Sequence, residues 1–461
     1  LGGDLRRVSL GVASVIAAWA SVSSAFAQAD PQKKFLEDDR RREMDERARA
    51  NADLKQDFLW DYGGWLHSEV DRLDDKPDRA HRTFCYEDLR LYGEVVYNQR
   101  YTAYVRLQTD FTDFSKGDQF SGDDNARYRP ILVDQAWLDG DFSWDGTVLK
   151  ARAGKEFETI GSGLLLQGVY YAGHVSWASG PFSARVVVAH TVVHDDDIDQ
   201  SLPNFRNSHR GFGGVEADWQ FSGDHTFYVM SLAEHDFNDA ENAFQKWDYD
   251  ADYLGLGARG HVVENLSYAV EAVYEFGRTV AAGSTSRDSI QAFAAIVTLD
   301  YLWRVDTSPS LEVQYMYGSG DRNRTSVTDV ASGSPPGTRD ESFLSFGFVQ
   351  TGFSLFPLLS NIHILRAGGS FHPLESLDFA RNLELGSYFY YYRKVQSAEP
   401  ISDPRSFNNS ADIGTEVDVF LRWRLFSDLG VSINYGVFMP GKAYDERSNR
   451  NFVSASLTVS F

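Results

Sequence analysis

One cysteine, Cys85, in 461 residues cannot close an internal disulfide, and no Cys/His spacing fits a zinc site. Long hydrophobic runs are missing as well. Beyond the N-terminus no stretch of about 18 consecutive apolar residues occurs, which excludes a membrane protein built from spanning helices. Basic charge is scarce: 44 Lys and Arg stand against 66 Asp and Glu, for a net charge of −22. Nucleic acid, which needs a basic face, is therefore not an expected partner. No repeat of 20–50 residues and no convincing 3.6-residue period is present. Nor is there a G-x-S-x-G, an H-E-x-x-H, a P-loop or a dinucleotide fingerprint, so no motif supports an enzyme and no catalytic cofactor is expected.

What is present begins with a leader. Arg6 and Arg7 precede the apolar stretch Val8–Ala20, and Ala25-Phe26-Ala27 fits a small-x-small cleavage site. The expectation is a signal peptide over residues 1–27 and an exported mature chain starting at Gln28. Losing Asp4, Arg6 and Arg7 takes the net charge from −22 to −23. Residues 28–56 are dense in charge and poor in apolar side chains. They read as a solvated helix or a disordered periplasmic leader, a place where export or synthesis proteins of the periplasm could dock.

From about residue 57 to 461 the pattern has period two. Apolar and polar residues alternate over 10–15-residue stretches such as 101–111, 253–262, 266–276, 430–439 and 452–461. The connections alternate in length. Short turns at 97–100, 143–146, 178–181, 222–225, 263–265 and 427–430 separate longer polar segments near 115–130, 194–210, 237–249, 321–340, 396–411 and 441–450. Short turns on one rim and long loops on the other describe an all-β, antiparallel, up-and-down transmembrane barrel of outer-membrane type, with outer-membrane lipid as its solvent. A raw count gives 19 strand candidates. Because bacterial barrels of this kind have an even number, residues 341–356 are taken as loop or strand extension, leaving 18.

Strand phase then sorts the charges. In "TEVDVFLRWRLF" (415–426), Val417, Val419, Leu421, Trp423 and Leu425 make an apolar row, and Glu416, Asp418, Arg422 and Arg424 a polar one. A lipid-facing Arg or Lys near the bilayer midplane costs about 2–4 kcal/mol, so the polar row belongs inside. The same reasoning places Arg90, Glu94, Arg106, Asp110, Arg152, Arg185, Arg259, Glu271, Glu275 and Arg366 on the lumenal wall, with Lys155 on the expected substrate path. Tyr388, Tyr390 and Tyr392 join them, and aromatic faces in a wet lumen suit sugar rings. Two roles stay open for these residues: Arg–carboxylate bracing of a wide barrel, or a lining that carries a polar polymer. In the external segments, "HDDDID" (194–199) and "DYDAD" (248–252) cluster carboxylates that could hold a divalent ion weakly, though Tyr253 and Arg259 stand where an EF-hand needs Gly and Glu.

Three stretches in order, "VDQAWLDGDF" with "LKARAGKEFETIGSG" (133–163), "YMYGSGDRN" (315–323), and "DIGTEVDVFLRWRLF" with "GVFMPGKAY" and the closing "NFVSASLTVSF" (412–461), resemble the alginate-export outer-membrane proteins. The likeness spans most of residues 85–461 and is strongest at the C-terminus. It implies an 18-stranded monomeric barrel in the outer membrane of a Gram-negative bacterium. The family passes an exopolysaccharide outward through an electropositive constriction. One departure stands out: where the family has Gly-Arg-Gln, this chain has Gly154-Lys155-Glu156. With acids also mixed among the inward arginines, a neutral polymer is as well suited as alginate unless each acid is paired. The competing reading is a general or substrate-selective porin for small hydrophilic solutes. A third is a barrel that anchors a partner.

Overall fold

A computed structural model describes residues 58–74, 82–114, 126–192, 209–237, 249–280, 287–323, 334–403 and 405–461. The expected signal peptide and the charged leader lie outside the described residues. Eighteen strands follow one another: β1 (Phe58–Asp74), β2 (Arg82–Tyr97), β3 (Tyr101–Phe114), β4 (Arg127–Trp144), β5 (Thr147–Ile160) and β6 (Leu166–Ser179). Next come β7 (Phe182–Thr191), β8 (Arg210–Ser222), β9 (His225–Asp236), β10 (Tyr249–Val263), β11 (Leu266–Val280) and β12 (Arg287–Leu302). The last six are β13 (Ser310–Gly318), β14 (Ile362–Phe371), β15 (Leu383–Lys394), β16 (Asp412–Phe426), β17 (Leu429–Pro440) and β18 (Arg450–Ser460).

Each strand pairs antiparallel with its sequence neighbours, and β1 pairs with both β2 and β18, so one sheet closes on itself. The seam runs from Trp65 opposite Ser460 to Asp74 opposite Asn451. It is finished by Gly64 N–H donating to Phe461 O at 2.9 Å and Phe461 N–H to Gly64 O at 3.0 Å. Closure is what lets a sheet cross lipid, because an open edge would leave its N–H and C=O groups unpaired in hydrocarbon.

The alternation appears as burial. Along β18, Val453, Leu457 and Phe461 face outward, while Ser454, Ser456, Thr458 and Ser460 are buried inside. Outward aromatics gather near both ends of the wall. Trp60, Tyr97, Trp144, Trp177, Trp219 and Phe426 lie towards the short turns, and Tyr171, Phe237, Phe293, Tyr315 and Tyr391 towards the long connections. Two such bands match the interfacial girdles of a bilayer, and the short turns mark their rim as the periplasmic one.

Residues 341–356 are not a strand, as parity required. They belong to the 43-residue connection 319–361 between β13 and β14, of which residues 341–359 fold into the bore. Phe346 N–H donates to Leu165 O at 3.0 Å, and Phe348 N–H to Gly163 O at 3.0 Å, on the turn between β5 and β6. Seven residues after Phe346, Phe353 reaches β16, which lies eight strands from β6 the shorter way round a ring of 18. The segment therefore crosses the lumen, a span within the roughly 25 Å that seven extended residues can reach. Its apolar side chains, with those of the turn between β5 and β6, build the interior: Leu164, Leu165, Phe343, Phe346, Leu355 and Leu359 are buried against Tyr253, Ile290, Tyr390 and Phe438.

The outer face predicts a depth dependence. Leu256, outward at the middle of β10 and 54% exposed, replaced by Arg should destabilise the folded barrel by about 2–4 kcal/mol in a lipid-vesicle urea titration. Phe426→Arg, at the periplasmic end of β16, should cost no more than about 1 kcal/mol. Equal costs at the two sites would contradict this placement in the bilayer.

Candidate functional site

The lumenal wall divides into two levels. On the extracellular half, wall carboxylates are spent on the crossing segment. Glu416 accepts backbone N–H bonds from Phe353 (2.7 Å), Ser354 (2.6 Å) and Leu355 (2.9 Å), while Asp418 accepts from Phe353 at 3.1 Å. Tyr392 donates its hydroxyl to Thr351 O at 2.7 Å. Near the opposite wall, Glu275 accepts from Leu344 N–H at 2.9 Å, and Tyr253 donates to Leu344 O at 2.8 Å. Glu271 accepts from Ser162 N–H and Oγ, both at 2.8 Å, and from Tyr228 Oη at 2.8 Å, which pins the turn between β5 and β6.

These contacts have one cause. An irregular segment inside a barrel carries backbone donors that no sheet neighbour can satisfy, and a buried unpaired N–H costs about 1–3 kcal/mol. A carboxylate accepting several of them is a charge-assisted anchor. Gly352 has φ +134°, and a Cβ there would fall 2.5 Å from Tyr392 Oη and 2.8 Å from Glu416 Oε1, so only glycine lets the chain pass this close. At Gly347 a Cβ would meet Gly163 O at 1.9 Å, because the two backbones touch.

The periplasmic half keeps its charges paired and, apart from the buried Arg366, partly exposed, and four of its arginines lie over aromatic rings. Arg152 is 3.1 Å from Asp139 and its guanidinium carbon 3.9 Å from the Trp137 ring centre. Arg259 is 3.7 Å from Asp218 and over Tyr228. Arg422 is 3.6 Å from Glu384 and over Phe420, and Arg366 pairs with Glu312 over Tyr388. Arg185 bridges Glu158 (3.2 Å) and Glu216 (3.1 Å). Trp137, Tyr104 and Tyr92 continue as a run of stacked rings beside Arg152.

The predicted lining residues therefore separate. Arg152, Arg185, Arg259, Arg366, Arg422 and Tyr388 stand together on the periplasmic belt, with Glu94 half-buried on β2 and Arg424 at the periplasmic rim, donating to Ser427 O at 3.0 Å. Arg90, Arg106 and Asp110 face inward but are buried. Asp134 takes Arg106 Nε at 2.5 Å and Arg90 Nη1 at 3.2 Å beneath the Trp65 ring, and Asp110 meets Arg129 at 3.4 Å. Glu416 and Asp418, expected to face pore water, are fully buried under the crossing segment, because its backbone donors claim them. Tyr390 and Tyr392, expected as sugar platforms, are 0% exposed and stacked on each other at 5.8 Å beneath the same segment.

Lys155 is a correction. Glu156 and Glu158 occupy the inward positions of β5, so Lys155, one residue before Glu156, points to the outer face. It sits opposite Tyr171 and donates to Val133 O at 2.9 Å in a notch of about 480 Å³. Likeness to an arginine-bearing segment put it on the path; strand phase puts it outside. Of the two calcium-like segments, 194–199 lies outside the described residues. In the other, Asp250 pairs with His235 at 2.6 Å and Arg287 at 3.2 Å. Sequence reasoning missed the inward turn 161–165. Its signal was three leucines, Leu164–Leu166, in what should be a polar external connection.

The extracellular connections are locked by buried ion pairs as well. Asp403 faces Arg450 and Arg405. Burial alone would raise its pKa, but the two guanidiniums hold it well below the ordinary carboxylate value.

Comparison with known proteins gives three findings. A family model described as "Alginate export" matches residues 167–456. No curated protein matches. Among solved structures, Pseudomonas aeruginosa OccK5 (OpdH) and OccK8 (OprE) each align at 11% identity with TM-score 0.53, covering 87% of this chain and 98% of theirs. The outer membrane protein OpdK of the same organism aligns at 11% identity and TM-score 0.52, covering 87% and 99%. At such identities these likenesses show the shared barrel fold alone.

Glu416→Ala leaves the Ser354 and Leu355 backbone donors of the crossing segment without an acceptor and Phe353 with Asp418 alone. The expected outcome in planar bilayers is a larger and noisier single-channel conductance, with the β-sheet circular dichroism unchanged. Conductance equal to wild type would show that the segment is held without Glu416.

Proposed function

The chain belongs to the alginate export family of outer-membrane barrels, and on that premise we propose that it is a passive channel for an exopolysaccharide leaving the periplasm. An outer-membrane channel is what the family and the barrel establish; the polymer is the proposal. The observation that supports it is the periplasmic belt, where Arg152, Arg259, Arg366 and Arg422 each combine a carboxylate partner with an aromatic face. Sugars present hydroxyls to such charge pairs and C–H faces to the half-exposed rings of Trp137 and Tyr388, while Tyr228 and Phe420 are buried and back their arginines, and a repeated weak subsite suits a chain that must slide.

Charge pairing bears on the polymer's own charge. The acids that would repel a polyanion, Glu271, Glu275, Glu416 and Asp418, are withdrawn into anchors. The belt arginines are neutralised by carboxylates, so they offer no uncompensated positive path. This balance favours a neutral or sparsely charged chain over a dense polyanion. The crossing segment would set the aperture and the monomer would suffice as the working unit. A porin for small solutes needs no belt of ring-and-pair subsites.

The test is single-channel conductance with added oligosaccharides of graded length and charge. Long neutral chains are expected to block from the periplasmic side, monosaccharides are not, and Arg259→Ala with Arg422→Ala should shorten block dwell times about tenfold, as losing roughly 1.4 kcal/mol of contact would. Passage of small sugars without length-dependent block would overturn the export reading. Block by anionic chains alone would overturn the charge preference.

A further inference from the structure

A second set of lumenal side chains on β5 and β6 is not accounted for by the channel. Glu156 and Glu158, two residues apart on β5, face inward, and His174 of β6 joins them. One ligand atom from each can be chosen so that all lie within 4.8 Å of one another. His174 Nδ1 is 2.6 Å from Glu158 Oε1 and 3.6 Å from Glu156 Oε1.

Glu156 is the anomaly. It is 1% exposed, yet neither carboxylate oxygen accepts a hydrogen bond from a donor, and its nearest cation, Arg152 Nε, is 3.6 Å away. A buried carboxylate without a donor is costly and calls for a partner. The surrounding charge points the same way. Arg152 is shared with Asp139 and Arg185 with Glu216, so four carboxylates divide two guanidiniums. The deficit is two positive charges.

We propose that Glu156, Glu158 and His174 form a lumenal binding site for a divalent first-row transition ion. One imidazole with two carboxylates is a donor set suited to zinc and its neighbours, and three protein ligands leave a position open to lumenal water. The half-buried His174 leaves an entry path from the bore. A bound ion would tie β5 to β6 just below Gly161–Leu165, the turn on which the crossing segment rests.

Full-length protein without a polyhistidine tag, folded in detergent micelles, is titrated with zinc chloride by calorimetry and with cobalt chloride by visible absorption. One equivalent is expected to bind. Glu156→Gln and His174→Gln should each weaken binding by at least about tenfold, since loss of even an outer-sphere partner commonly costs that much. The cobalt d–d bands should also be lost. Both variants are checked for the heat-modifiable gel mobility of a folded barrel, and the one that retains it carries the result. Absence of saturable binding by the wild type would overturn the proposal and leave the two carboxyl groups sharing a proton. Binding that survives both substitutions would also overturn it, assigning the ion to other histidines such as His235.

Discussion

Backbone polar groups of the lipid-spanning wall and of the buried segment in the bore must find partners without help from bulk water, and that constraint orders much of the structure. In the wall it is met by closure, with β1 completing the sheet between β18 and β2. In the bore it is met differently. Where the described part of the segment between β13 and β14 leaves backbone N–H groups without a backbone acceptor, side-chain carboxylates take them.

That second solution changes the meaning of the inward acids. Read along the chain, Glu271, Glu275, Glu416 and Asp418 are lumenal charges that would tune what passes. In the folded molecule they are structural anchors, buried by the segment they hold. The charges that still meet lumenal space lie lower, on the periplasmic belt, where Arg152, Arg259 and Arg422 each come with a carboxylate and a ring. Bracing and lining, two roles open for each inward arginine, are thereby separated by depth. Arg90 and Arg106 brace under Trp65, whereas Arg259 and Arg422 keep access to the bore.

The fold was largely legible because a transmembrane barrel writes its two faces into a period of two. Val453, Leu457 and their partners Ser454 and Ser456 announce lipid and lumen without any knowledge of their neighbours, and connection length announces the two rims. Parity even removed residues 341–356 from the strand count. The failures have two sources. Lys155 was placed by likeness to a segment rather than by phase, and phase sends it outward beside Tyr171. Tyr390 and Tyr392 were placed on the correct face, but a face does not say what lies against it.

The sequence by itself determined the barrel, its orientation and which side chains point inward, because each follows from local alternation and from turn length. Only the tertiary structure decided which inward residues meet lumenal space. Glu416 on β16 and Leu355, 61 residues before it in sequence, become partners only when the chain crosses the bore. Glu156, Glu158 and His174 likewise become one cluster only when β6 pairs with β5. Such contacts depend on how distant segments fill a shared volume, and no period in a single strand encodes that.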